Sequence, residues 1–205
     1  MVQLDKQHST EEKILMAARQ IFIDRGMDGA RMQDIADAAG INKAMLHYYF
    51  RSKEKLYGTI VQHIMSNALP AMFDLLESEL KLKDKLKQFI INYLALIRAN
   101  PFLPLFILNE MNRHPDKFVK WLPIKNLKIS RFSDQVNEAV SLKLIRPIEP
   151  KVLIMNMASL IVFPFIARPM MCVVLKMDKK YFDQLLSQRE DQIIDFVISA
   201  IYYKN

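Results

Sequence analysis

The sequence predicts an all-α protein, and three observations carry that expectation. Only two threonines, Thr10 and Thr59, and four glycines occur in 205 residues, so the threonine and glycine vocabulary of strands and their turns is thin. Apolar residues make up 51% of the chain and recur at spacings of three and four over long stretches. The glycines Gly26, Gly29, Gly40 and Gly58 all precede the nine prolines, which run from Pro70 to Pro169. This shift predicts two modules: residues 1–57, built of short helices with tight turns, and residues 58–205, built of longer helices separated by prolines.

The first helix is expected to open at Ser9, because Ser9-Thr10-Glu11-Glu12 places a glutamate three residues after a serine, the spacing of a reciprocal cap. Ile14, Ala17, Ala18, Ile21 and Phe22 follow at helical spacing, and Gly26 closes the run. Asp28-Gly29 marks a turn, since no alternating apolar residues flank it as they would in a hairpin. A second helix covers about residues 31–39 and stops at Gly40. Asn42 caps a third over residues 43–50, and Ser52 starts a fourth. Two short helices joined by a glycine-containing turn, inside a three-helix core, describe a helix-turn-helix.

Ile35, Ala36, Ala39 and Ile41 supply the interior of that hairpin, and Leu46 and Phe50, four apart, point inward from the third helix. The opposite face then presents Ala44, Met45, His47 and Tyr48, with Lys43 and Tyr49 on its flanks. A short exposed helix with an aromatic, acid-free surface suits the major groove of double-stranded DNA, with its first turns toward base edges. Net charge adds little. Of the +7 total, residues 1–57 hold nine Lys and Arg against eight Asp and Glu, so the excess lies in the body. The local basic set is Arg31, Lys43, Arg51, Lys53 and Lys55 around the proposed groove face.

The same counts argue against catalysis. With four glycines, neither GxGxxG nor GxxxxGK[ST] exists, and no serine sits in a GxSxG elbow. His8, His47, His63 and His114 fall in no metal-ligand spacing, and Cys172 is the single cysteine. No enzyme activity, metal or cofactor is expected. The amino terminus lacks the charged-then-apolar pattern of a secretory signal, and the apolar stretch 152–175 is interrupted by Asn156, Ser159, Pro164, Arg168 and Pro169. That stretch reads as buried helix, not a membrane span, in a cytoplasmic protein.

Asp34-Ile35-Ala36, followed by Ala39-Gly40-Ile41-Asn42-Lys43 and by Leu46-His47-Tyr48-Tyr49-Phe50-Arg51-Ser52-Lys53-Glu54, resembles the DNA-binding domain of the TetR family of bacterial transcriptional regulators over about residues 10–57. The resemblance implies that Gln33, Lys43, Ala44, Met45 and His47 face the groove and that Tyr49 and Lys53 hold phosphates. The sequence departs from the family pattern twice. Ala30 and Arg31 stand where a threonine or serine usually caps the second helix, which leaves Arg31 to add a phosphate contact, and His47-Tyr48 reverses the commoner Tyr-His order.

Past residue 58 the resemblance implies a helical ligand-binding and dimerisation domain. Helices are expected near residues 52–69, 71–80, 84–99, 102–113, 116–140, 150–163 and 179–203, with Pro123 breaking the fifth and Pro101, Pro115, Pro147, Pro150 and Pro164 marking ends. Phe89, Tyr93, Phe106, Asn109, Trp121 and Met155 are expected to line a pocket for an apolar or amphipathic small molecule. From Ile193 to Tyr203 only Asp195 and Ser199 are polar. Ile193, Ile194, Val197, Ile198 and Ile201 are therefore expected to join the 152–163 helix in a homodimer interface. The functional expectation is a ligand-responsive repressor, released by that molecule from a palindromic DNA operator. The alternative is a helical ligand-binding or dimer-interaction protein whose helix-turn-helix is vestigial.

Overall fold

The computed structural model describes residues 2–113, 115–116 and 128–203, and leaves the side chains of residues 2–9 undescribed. Trp121 lies outside the described residues. Among the described residues the structure is all-α, with no strand beyond a single bridge between Ile145 and Tyr202. Its helices are α1 (Val2–Gly29), α2 (Met32–Ala38), α3 (Lys43–Tyr49), α4 (Lys53–Glu77), α5 (Leu82–Ala99) and α6 (Leu103–Arg113), then α7 (Ser130–Ser141), α8 (Pro150–Ile166), α9 (Arg168–Val174), α10 (Lys179–Ser187) and α11 (Arg189–Ile201). They divide into two compact units. The first takes the described residues up to Asn67 and resumes at Asn100; the second takes Ala68–Ala99 and the described residues from 128 on.

In the first unit α1 is already helical before Ser9, so the Ser9–Glu12 pattern opens nothing. Residues 2–8 hold neither glycine nor proline, and nothing in them stops a helix. Gly26 kinks α1 at φ 67, ψ 178, a backbone region open essentially to glycine alone. Ile14, Ala18 and Phe22 of α1, Ile35 and Ala36 of α2, Leu46 of α3 and Leu56, Tyr57, Ile60 and Val61 of α4 are all buried. The unit is larger than residues 1–57, because α6 joins it. The Tyr57 ring meets Phe22 at 4.6 Å, Phe106 at 4.7 Å and Phe102 at 5.3 Å. Nearby, Arg19 Nε donates to Asn100 Oδ1 at 3.1 Å.

In the second unit one core draws on five helices, with Leu76 from the end of α4. Leu82, Leu86, Phe89, Ile90, Leu94 and Ile97 of α5 meet Phe132 and Val136 of α7, Leu153, Met157 and Ile161 of α8, and Ile193, Val197 and Ile201 of α11. Lys85 is fully buried in this unit and donates from Nζ to the carbonyls of Leu76 at 2.8 Å and Ser78 at 2.9 Å, satisfying acceptors that the end of α4 leaves open. Burial, and then the nearby Arg131, pull its pKa below the usual lysine range.

Three proline or length expectations are corrected. The α4 helix passes through Pro70 to Glu77 in place of two helices, and α8 passes through Pro164 to Ile166. A proline within a helix removes one hydrogen bond; buried Met65 and Leu76 flank Pro70 in α4, and in α8 Pro164 is itself buried one turn after buried Ile161. The stretch expected over 179–203 breaks at Gln188 into α10 and α11. The stretch expected to be buried over 152–175 bends by 75° between α8 and α9, and no residue of α9 is buried. No single described helix is long and apolar enough to cross a membrane.

Candidate nucleic-acid interface

The α2–α3 hairpin is built by its turn. Gly40 takes φ 69, Ile41 N–H returns to the Ala36 carbonyl at 3.0 Å, and the Asn42 side chain accepts from Met45 N–H at 2.7 Å, capping α3. Within α3 only Leu46 is buried, and Phe50 is buried just beyond its end. Because α3 has seven residues, burying Leu46 turns Lys43, Ala44, Met45, His47 and Tyr48 outward, and all five are exposed, Tyr48 at 77%. The N-terminus of α4 follows, where the Ser52 hydroxyl accepts from Lys55 N–H at 3.2 Å. Glu54 sits in that first turn. Its own backbone N–H, and then the Ser52 hydroxyl, hold its carboxyl below the usual range.

On α2, Arg31 and Gln33 are exposed, and Arg31 occupies the N-cap position with no side-chain cap. Gln33 Nε2 donates to Asp37 Oδ1 at 2.8 Å. Arg25 pairs with Asp34. Two residues are more occupied than their sequence positions imply. Tyr49 is half-buried with its ring edge-on to Tyr48 at 5.6 Å, and half-buried Lys53 donates from Nζ to the Ala30 carbonyl at 3.1 Å. Lys53 thereby ties down the turn that leads into α2 without replacing its cap, since it donates to a carbonyl and accepts from no N–H. An ammonium has three donors, so two remain for a phosphate. Arg51 and Lys55 are exposed close by in the chain. This surface offers a groove-sized helix with small, amide, imidazole and phenol groups between cations.

Residues 14–60 match the family of bacterial regulatory proteins, tetR family. That match covers α2, α3 and the adjoining parts of α1 and α4, so it is this region that is similar to the tetR family. The HTH-type transcriptional repressor NicS of Pseudomonas putida is 34% identical over 118 residues, covering 58% of this chain and 49% of that protein. The HTH-type transcriptional activator FasR of Mycolicibacterium smegmatis is 42% identical over 55 residues, 27% of this chain and 25% of that one. The chain thus spans half or less of the length of these curated relatives. The solved structure of HlyIIR, a hemolysin II transcriptional regulator, superposes with a TM-score of 0.60 over 96% of this chain and 99% of that one. Its sequence identity of 23% makes this a likeness of fold.

The structure distributes the other expected site residues over both units. The described residues among the expected pocket set fall in both units. Phe89 and Tyr93 lie in the core of the second unit, their rings 5.9 Å apart, and burial raises the Tyr93 pKa. Phe106 instead packs on Tyr57 in the first unit, Asn109 is exposed on α6, Met155 is 60% exposed, and Trp121 is outside the described residues. Three of the expected dimer residues point into their own unit. Ile193, Val197 and Ile201 are buried in their own unit and Ile194 and Ile198 pack against its core, because the 193–197–201 spacing faces α5 and α8. The outward apolar side of α11 is Phe196, 62% exposed. With Phe163 of α8 it borders a groove of about 650 Å³, whose floor includes Leu153, Met157 and Val197.

Proposed function

We propose that the chain is a sequence-specific, DNA-binding transcriptional regulator that acts as a homodimer on a palindromic operator. The observation that carries this reading is α3 itself: Leu46 is buried, Tyr49 is half-buried, and the other five residues are exposed, with no acid among them. A helix of that kind in a helix-turn-helix reads base edges in the major groove, while Arg31, Tyr49 and Lys53 serve phosphates. Repression is supported by the match to NicS, a named repressor, over 118 residues, more than twice the 55-residue stretch shared with FasR, a named activator. A cytoplasmic setting follows from this function.

The second copy is proposed to cover the groove between α8 and α11. Phe163 and Phe196 are each more than half exposed beside it, and a self-matching four-helix contact would bury both. Two-fold pairing supplies the two recognition helices that paired half-sites require. A small apolar or amphipathic molecule is proposed to act through the second unit, by favouring a body conformation that misplaces those helices. Selection from a pool of random duplexes tests the reading: the chain is expected to enrich an inverted repeat and to bind it as two chains per duplex. Enrichment of no sequence above the starting pool would refute it.

A further inference from the structure

We infer that Asp37 positions Gln33, holding its amide in the one orientation that accepts adenine and rejects guanine. This rests on the DNA-binding reading of the α2–α3 surface. Gln33 Nε2 donates to Asp37 Oδ1 at 2.8 Å, and both residues are exposed, one helical turn apart on α2. An ionised carboxylate only accepts hydrogen bonds, so the amide must turn its NH₂ toward Asp37 and cannot turn its oxygen there. One N–H is then committed. Oε1 and the second N–H remain, an acceptor beside a donor.

That pair matches the N6 amine and N7 that adenine shows in the major groove. Guanine shows two acceptors there, O6 and N7. A free glutamine can turn its NH₂ toward them, but a clamped one meets O6 with its own oxygen. The placement of Asp37 supports such a role, because it is electrostatically unfavourable otherwise. Asp37 lies in the last turn of α2, where the helix dipole disfavours a carboxylate, and on the side of the molecule proposed to meet phosphates. An exposed hydrogen bond of this type is weak in water, and strengthens once a groove excludes solvent around it.

The test uses the full chain and the operator that it enriches. The position read by Gln33 is the one whose base preference disappears in Gln33→Ala. At that position the unmodified chain is expected to prefer adenine over guanine by about tenfold, the scale of one good bidentate contact. Asp37→Ala should bring the two bases within about twofold of each other while tightening binding to the whole series, since a negative charge is gone. Asp37→Asn removes the same charge, and its amide can donate to Gln33 as well as accept from it, so it should tighten binding and likewise narrow the preference. If Asp37→Ala tightened binding uniformly and left the adenine preference intact, Asp37 would be a bystander. If Gln33→Ala changed no base preference while the operator was still bound specifically, the positioning would be wrong and the DNA-binding reading would stand. A chain that enriched no duplex would overturn both.

Discussion

Replacing Tyr57 with alanine should destabilise the first unit by about 3–5 kcal/mol, the range for truncating a buried aromatic and leaving a cavity. Tyr57 is 4% exposed, and its ring sits among Phe22 of α1 and Phe102 and Phe106 of the segment carrying α6. Each such ring pair is worth about 0.5–1.5 kcal/mol beyond the area it buries, so three of them place the loss toward the upper end. Tyr57→Phe keeps the ring and should cost no more than about 1 kcal/mol. Urea unfolding followed by circular dichroism measures both, provided the slope of the transition is unchanged. The pH dependence gives a second reading of the same site. Burial, and then Asp28, raise the Tyr57 pKa above its ordinary 10.0, so the unfolded chain loses this proton first. Its stabilising contribution is complete below about pH 10 and falls as pH climbs toward the raised native value. Tyr57→Phe should flatten that fall without abolishing it, because burial also raises Tyr93 and Tyr202. An alanine variant within about 1 kcal/mol of the parent would refute the packing described for this ring.

Phe196→Glu should give a folded monomer by light scattering, whereas Val197→Asp should lose helical signal, because Phe196 is exposed and Val197 is buried in the core; a folded Val197→Asp variant would contradict the orientation of α11. Arg31→Ala should weaken binding to every duplex and lower the salt slope by about 0.9, with thermal stability little changed because the Arg31 side chain makes no cap bond; an unaltered slope would remove Arg31 from the phosphate contacts. Lys85→Ala should destabilise the chain by about 2–4 kcal/mol, since it opens a cavity and strips partners from two carbonyls. Thermal denaturation within experimental error of the parent would show that water replaces the Nζ bonds.

The α2–α3 hairpin was legible in the sequence because its signals are local. Gly40 and Asn42 sit in the turn with the conformation and cap that those residue types favour, and a single inward leucine, Leu46, fixes every other direction on a seven-residue helix. The α11 helix was legible as apolar but not as to which way it faces. Ile193, Val197 and Ile201 repeat at helical spacing, and so do Phe196, Ala200 and Tyr203, so periodicity cannot choose between them. The division of the expected pocket residues between the two units was not legible for a related reason. Phe89 and Phe106 are 17 residues apart and both aromatic, yet the chain passes from one unit to the other between them, at Ala99 and Asn100. No local pattern marks that passage, because the packing of α6 on Tyr57 joins residues about 50 positions apart. The continuity of α4 through Pro70 escaped the local rules as well: a proline states what it removes, not what neighbouring side chains hold in place.

The central claim is that α3 enters DNA, and photo-cross-linking tests it most directly. A light-activated cross-linker placed at position 48, where Tyr48 is 77% exposed, should attach to bases of the enriched operator at symmetric positions in the two half-sites. If the substituted chain still retarded that operator but formed no adduct with it from position 48, the α3 surface would not be the reading surface, and the account would be wrong.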